Sequence, residues 1–98
     1  MAREIARLDI DPDSAEAFEA AAAQAVALFR HASGCMGMEL LRSHEVAGRY
    51  WLMVEWRAVE DHESFRASRD FATWRALVGG YFVTTPRVEH GMGCGVGF

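Results

Sequence analysis

Tyr50-Trp51-Leu52-Met53-Val54-Glu55-Trp56 is the stretch that decides the fold. It reads as a β-strand that is apolar on both faces. Side chains alternate along a strand, so Tyr50, Leu52, Val54 and Trp56 point one way and Trp51, Met53 and Glu55 the other. A strand with one wet face would alternate apolar and polar residues, whereas this one needs cover on both sides. The 98 residues supply helical material for one face only. The second face therefore predicts a second copy of the chain, with the functional site in the apolar interior of a homodimer.

Outward from this strand, the chain divides into six elements. Arg3 to Ile10 alternates weakly and predicts a first strand. Asp11-Pro12-Asp13-Ser14 is a helix start, with proline suited to the first turn and Asp13 and Glu16 at capping-box spacing. Phe18, Ala22, Ala25 and Phe29 then form one apolar stripe at helical spacing, predicting a helix to about Ala32 that Gly34 ends. Cys35 to Ser43 predicts a second strand, His44 to Gly48 a hairpin connection, and Arg49 to Arg57 the third strand, antiparallel to the second. Ala58 to Ser68 and Arg69 to Val78 are two further helical pieces, the second carrying Phe71, Trp74, Leu77 and Val78 on one face and ending at Gly79-Gly80. Arg87 to Met92 is a fourth strand, followed by a tail with glycine at every second position.

This order is β-α-β-β-α-β, the α+β ferredoxin-like split arrangement: an antiparallel sheet of four strands with helices on one face. One domain is expected over residues 1–98, with its core at about 3–90 and a glycine-rich tail at 91–98. The opposite sheet face would carry Trp51, Met53 and Met36 or Met38, an apolar patch too large to leave in water. Face-to-face pairing of two sheets covers it. Burying 500 Å² of apolar area is worth on the order of 12 kcal/mol before association costs. Glu55 on that face then needs a partner, for which Arg42 or a group of the second copy is expected.

Composition narrows the function. Hydrophobic residues make up 51% and charged residues 24%, which excludes a disordered chain. Ten basic against 14 acidic residues give a net charge of -4, with no basic patch for a nucleic acid. No apolar run approaches the ~20 residues of a membrane span, and the N-terminus lacks a signal-peptide core, so a cytoplasmic protein is expected. Cys35 and Cys94 are expected as free thiols, and the four histidines show no metal-ligand spacing.

Four segments carry a family resemblance: Gly34-Cys35-Met36-Gly37-Met38-Glu39, Tyr50 to Trp56, Glu60-Asp61-His62-Glu63-Ser64-Phe65-Arg66-Ala67-Ser68, and Phe71-Ala72-Thr73-Trp74-Arg75. Together they resemble the antibiotic biosynthesis monooxygenase superfamily of dimeric α+β barrels. The pattern Trp-x-x-x-Glu-Asp-His-x-x-Phe-x-x-Ser, from Trp56 to Ser68, is the most specific part. The resemblance implies a pocket between sheet and helices in each subunit. Some members oxidise quinol- or anthrone-type aromatics with O2 and neither metal nor flavin, others degrade haem, and others have no known activity. The asparagine, tryptophan and histidine of the haem-degrading members fall at Ala6, Phe65 and Arg75 here, which argues against haem chemistry. Of the residues used by the quinone-forming members, the asparagine falls at Leu52 and the tyrosine at His62, while the tryptophan is kept as Trp56 and the arginine as Arg75.

That chemistry needs a dry aromatic pocket, a base, and a donor or positive group at the developing oxyanion. His62, which titrates near neutral pH, is the candidate base. Arg75 is the candidate anchor for an anionic oxygen, and Trp56 a candidate N–H donor to substrate. Leu52, Tyr50, Phe65, Phe71 and Trp74 are the candidate substrate-binding residues. The bland reading of each remains open: a surface histidine, an ion-paired arginine, and aromatics that only pack the core. The expected function is a cofactor-independent monooxygenase using O2 as co-substrate on a small hydroxylated aromatic, without resident metal or cofactor. A non-catalytic binder of aromatic metabolites, or a cofactor-free isomerase, cyclase or decarboxylase, are the alternatives.

Overall fold

The computed structural model describes residues 1–98. Strand β1 (Ala2–Asp9) leads through a one-turn 3-10 segment into helices α1 (Ala15–Gln24) and α2 (Val26–Arg30). The hairpin strands β2 (Cys35–Arg42) and β3 (Arg49–Trp56) follow, then helices α3 (Val59–Arg66) and α4 (Arg69–Val78), a second 3-10 turn at Gly79–Tyr81 and strand β4 (Arg87–Met92). The sheet order is β2-β3-β1-β4 with every neighbouring pair antiparallel. This is the α+β ferredoxin-like arrangement that the sequence predicts.

Alternation sorts the sheet into two faces. Glu4, Ala6 and Leu8 of β1 and Tyr50, Leu52, Val54 and Trp56 of β3 are all buried beneath the helices. The stripe Phe18, Ala22, Ala25 and Phe29 is 0–3% exposed and packs on them. Alanine in this stripe lets the helix axis approach the sheet closely while keeping high helix propensity.

The helix differs from its predicted form in two places. It breaks at Ala25 into α1 and α2, and the residue between them has φ -90 and ψ -6. The start is capped by Asp11, whose side chain accepts from the Asp13 N–H at 2.9 Å, rather than by Asp13 with Glu16. Asp11 is extended and Pro12 takes the first helical position, so the cap falls one residue before the proline.

The open face also departs from expectation. Met38 is paired with Val54 and therefore shares the helix-covered face; the residues of β2 that face outward are Gly37, Glu39 and Leu41. A bulge between Cys35 and Gly37 shifts the pairing at the start of β2, and Met36 is exposed there. Half-exposed Ile5, Trp51 and Met53 form the apolar centre of the open face. Around them stand charged pairs: Arg3 with Glu55 at 2.7 Å and Asp9 with both Arg7 and Arg49. Glu55 is thus held by its cross-strand neighbour Arg3, while Arg42 turns to Glu19 at 2.8 Å on the helix side.

Two glycines are dictated by the backbone. Gly34, after α2, has φ +79, and a Cβ there would lie 2.3 Å from the Asp61 carboxyl carbon. Gly48, which closes the β2–β3 hairpin, has φ +82, and a Cβ would lie 2.3 Å from the Ile10 carbonyl oxygen. Gly48→Ala is expected to lower stability by ~1–3 kcal/mol. Gly79→Ala, at φ -60 with open space around it, is expected to be neutral or stabilising by up to about 1 kcal/mol. Urea denaturation of the two variants checks the contrast.

Candidate functional site

Between the helix-covered face of the sheet and α4 lies a cavity of about 310 Å³. This is at the small end of the ~300–1,000 Å³ range of ligand pockets, fitting a compact one- to three-ring molecule. Ala6, Leu8, Leu52, Phe71, Trp74 and Phe82 form an apolar wall, half of it aromatic. Glu4, His62, Arg66 and Arg75 line it as well, with Thr85, Pro86 and Val88 at the rim. The Arg66 and Arg75 guanidinium groups belong to exposed residues, whereas Glu4 and His62 are 5% and 3% exposed. The charge of the arginines is therefore at the mouth and the acid–base pair is inside.

Glu4 and His62 belong to a chain of four side chains contributed by four elements. Trp56 of β3 donates its indole N–H to Glu4 Oε1 at 3.0 Å. His62 of α3 places Nε2 at 3.2 Å from the same oxygen. His62 Nδ1 lies 2.7 Å from His90 Nε2 on β4. The His62 ring stacks on Trp56, with centroids 5.2 Å apart and planes 14° from parallel. Register explains the assembly: Glu4 is directly opposite His90 across β1 and β4, and opposite Val54, two residues before Trp56, across β1 and β3.

Burial sets the electrostatics. It pushes the Glu4 carboxyl above its ordinary range, opposed by the Trp56 hydrogen bond and the positive charge of Arg66. Burial pushes His62 down from 6.5 to about 4, helped by His90 and Arg66. His62 is thus neutral near pH 7, and the tautomer assignment follows from the bonds. With Glu4 ionised, His62 carries its proton on Nε2 toward the carboxylate and His90 donates to Nδ1.

Of the side chains singled out in the sequence, His62, Arg75, Leu52, Phe71 and Trp74 line the cavity. Trp56, Tyr50 and Phe65 do not. Trp56 is 0% exposed and its N–H is committed to Glu4, so it acts on the cavity only through that carboxyl. Tyr50 packs against Phe18 and donates its hydroxyl to Glu19 at 2.5 Å, beneath α1. Phe65 is enclosed by Phe29, Trp56 and Phe71. Sequence reasoning missed Glu4 and His90. The signal for Glu4 was present: it is the one charged residue in the buried half of an alternating strand, Ala2-x-Glu4-x-Ala6-x-Leu8. The position of His90 depends on strand register and had no such signal. No cluster of three or more His, Cys, Asp or Glu side chains is disposed to hold a metal ion.

A fold of this topology with an aromatic cavity on the helix side of its sheet defines the class. The sequence profile of the antibiotic biosynthesis monooxygenase family matches residues 1–77, and the chain belongs to that family. It is 36% identical over 91 residues to the uncharacterised Bacillus subtilis (strain 168) protein YczJ, which covers 92% of this chain and 96% of YczJ. A crystal structure from Bordetella bronchiseptica, provisionally named an antibiotic biosynthesis monooxygenase, is 44% identical with a TM-score of 0.91, over 94% of this chain and 95% of that one. SnoaB from Streptomyces nogalater, a cofactor-independent oxygenase solved as a point mutant, superposes with a TM-score of 0.80 over 95% and 92% of the two chains. At 18% identity that last likeness is one of fold alone.

The buried pair makes stability depend on pH. In the unfolded chain His62 takes up a proton near 6.5, while in the fold it stays neutral to about 4. Between these values the unfolded state binds more protons, so the His62 contribution is lost as pH falls through that window. Glu4 acts in the opposite sense just above its ordinary 4.5, where the fold holds its proton more tightly. Urea midpoints at pH 7 and pH 5 should therefore fall further in the wild type than in His62→Leu, which removes the histidine term and keeps Glu4.

Proposed function

We propose that this protein is a cofactor-independent monooxygenase that oxidises a small hydroxylated aromatic, quinol or anthrone-type substrate with O2. One observation carries the reading: the same cavity presents an aromatic wall, a buried acid–base pair and two guanidinium groups at its mouth. Phe71, Trp74 and Leu52 hold the flat ring. The Glu4–His62 pair takes the proton from the substrate, and Arg75, with Arg66 beside it, stabilises the anionic oxygen that results. The electron-rich anion reduces O2 by one electron, and the radical pair recombines to a peroxide. For an anthrone, loss of water from that peroxide leaves a carbonyl: one oxygen atom enters the product and the other leaves as water. Exclusion of bulk water protects the anion until O2 arrives. No resident cofactor is invoked, because the electrons come from the substrate.

Membership of the family supports this reading, and SnoaB is an oxygenase without a cofactor on the same fold. The test is oxygen uptake by purified, metal-free protein with a panel of anthrones and hydroquinones. Uptake above autoxidation is expected. It should fall in His62→Ala, and in Arg75→Ala by on the order of tenfold, less than the 10²–10³ of an enclosed oxyanion donor because Arg75 is exposed. Saturable quenching of tryptophan fluorescence with no uptake would instead establish a binding protein, and product formation under argon an isomerase, cyclase or decarboxylase.

The open sheet face supports a homodimer as the working unit. Ile5, Trp51 and Met53 form a half-exposed apolar centre ringed by Arg3, Glu55, Arg7 and Asp9, the composition of an interface with a dry middle and a polar rim. Sedimentation equilibrium should give twice the 10.9 kDa chain mass. Trp51→Glu, which buries a charge at that centre, should give the monomer. A monomeric wild type would refute the dimer.

A further inference from the structure

The acid–base pair contains two candidate proton acceptors, and their surroundings differ. Both ring nitrogens of His62 are already engaged, Nδ1 with His90 at 2.7 Å and Nε2 with Glu4 at 3.2 Å. To take a substrate proton, His62 would have to release one partner and become a cation in a buried position near Arg66. Glu4 is different. Its Oε1 accepts from Trp56 and lies 3.2 Å from His62 Nε2, while Oε2 has no protein partner. No fully buried side-chain oxygen in the structure lacks a partner, so Oε2 reaches open space, and the space that Glu4 borders is the cavity.

We propose that Glu4 Oε2, and not a nitrogen of His62, accepts the proton that the substrate gives up, with His62 and His90 as positioning residues. The inference rests on the reading of the cavity as a site for a hydroxylated aromatic. In the step, the substrate O–H bond breaks, its electron pair stays on the substrate oxygen, and a Glu4 Oε2–H bond forms. Oε1 becomes the carbonyl oxygen and keeps its bond from Trp56, with His62 Nε2 beside it at 3.2 Å. His90 donates to His62 Nδ1 and so holds the His62 proton on Nε2, the nitrogen that lies 3.2 Å from the carboxylate. That arrangement leaves one carboxyl oxygen tied back and the other turned to the ligand.

The electrostatics agree with the geometry. Burial raises Glu4 toward the range of a useful base at neutral pH and lowers His62 to about 4, where it is a poor one. The groups facing Glu4 are His62 and Arg66 from α3, His90 from β4, Cys35 from β2 and, across the cavity, Arg75 from α4. Cys35 is held neutral by burial, which pushes its thiol up. Glu4 and His62 set the acid limb.

The probe is 4-nitrophenol, whose ionised form absorbs visible light, titrated anaerobically against wild type, Glu4→Gln, His62→Leu and His62→Gln. Glutamine keeps an oxygen for the Trp56 and His62 donors, and near-ultraviolet circular dichroism reports whether each variant is folded. The wild type should bind the phenol and ionise it. Glu4→Gln should bind it with roughly a tenfold or greater fall in the ionised fraction. His62→Leu should still ionise it, with the acid limb moved to higher pH because the carboxylate has lost an N–H donor; His62→Gln should move the limb back. A folded Glu4→Gln that ionises the phenol like the wild type overturns the assignment. So does a His62→Leu variant that abolishes ionisation, or a wild type that leaves the phenol protonated. Ionisation without oxygen uptake on the panel refutes the oxygenase reading and leaves Glu4 in place. Oxygen uptake that survives in Glu4→Gln refutes Glu4 and leaves the oxygenase.

Discussion

A carboxyl group buried under the helices is the constraint on which the rest of this structure turns. Placing Glu4 in the apolar half of β1 is costly unless its oxygens find donors. Its partners come from far apart in the chain: Trp56, which donates to it from the end of β3, and His62, 3.2 Å away and one turn into α3. A slip of β1 by one residue would move Glu4 to the open face and undo both contacts. The register of the two central strands, the place where β3 stops and the direction in which α3 leaves it are therefore bound to one side chain. His90 extends the same requirement to the edge strand β4.

The two faces of the sheet differ in what covers them. On the helix side, the close approach of the alanine-rich α1 and the cluster Phe29, Phe65 and Trp74 fill the core, and the space left beside α4 is the cavity. On the open side, charged pairs surround a small apolar centre. Polar rims of this kind favour one orientation of a partner, since like charges brought together are penalised. The cavity and the open apolar centre thus lie on opposite faces of the same strands, and β3 contributes Leu52 to one and Trp51 and Met53 to the other.

Much of this was legible in the residues. The doubly apolar β3, the stripe Phe18, Ala22, Ala25 and Phe29, and the glycines at positions 34 and 48 mark elements whose causes are local. The less legible points share one property: each depends on which of several equivalent partners is nearest in space. Asp11 caps where Asp13 also had suitable spacing. Glu55 meets Arg3, not Arg42. Pairing with Val54 turns Met38 inward, although alternation alone would have allowed the methionines of β2 to face out. At the site, the aromatic wall of Phe71 and Trp74 could be read from helical spacing, but the commitment of the Trp56 N–H and the Tyr50 hydroxyl to Glu4 and Glu19 could not.

By itself, then, the sequence determined the class of fold, because periods of 2 and 3.6 residues are local properties that survive without knowledge of distant partners. It also marked His62 and Arg75 as chemically capable, since residue type sets what a side chain can do. Only the tertiary structure decided which nitrogen and which oxygen are occupied. That depends on β1 lying opposite both β3 and β4, contacts separated by about half the chain or more, which bring Glu4, Trp56, His62 and His90 within hydrogen-bonding distance of one another. Burial then shifted Glu4 upward and His62 downward, an effect of the surrounding fold that neither residue carries in its own identity.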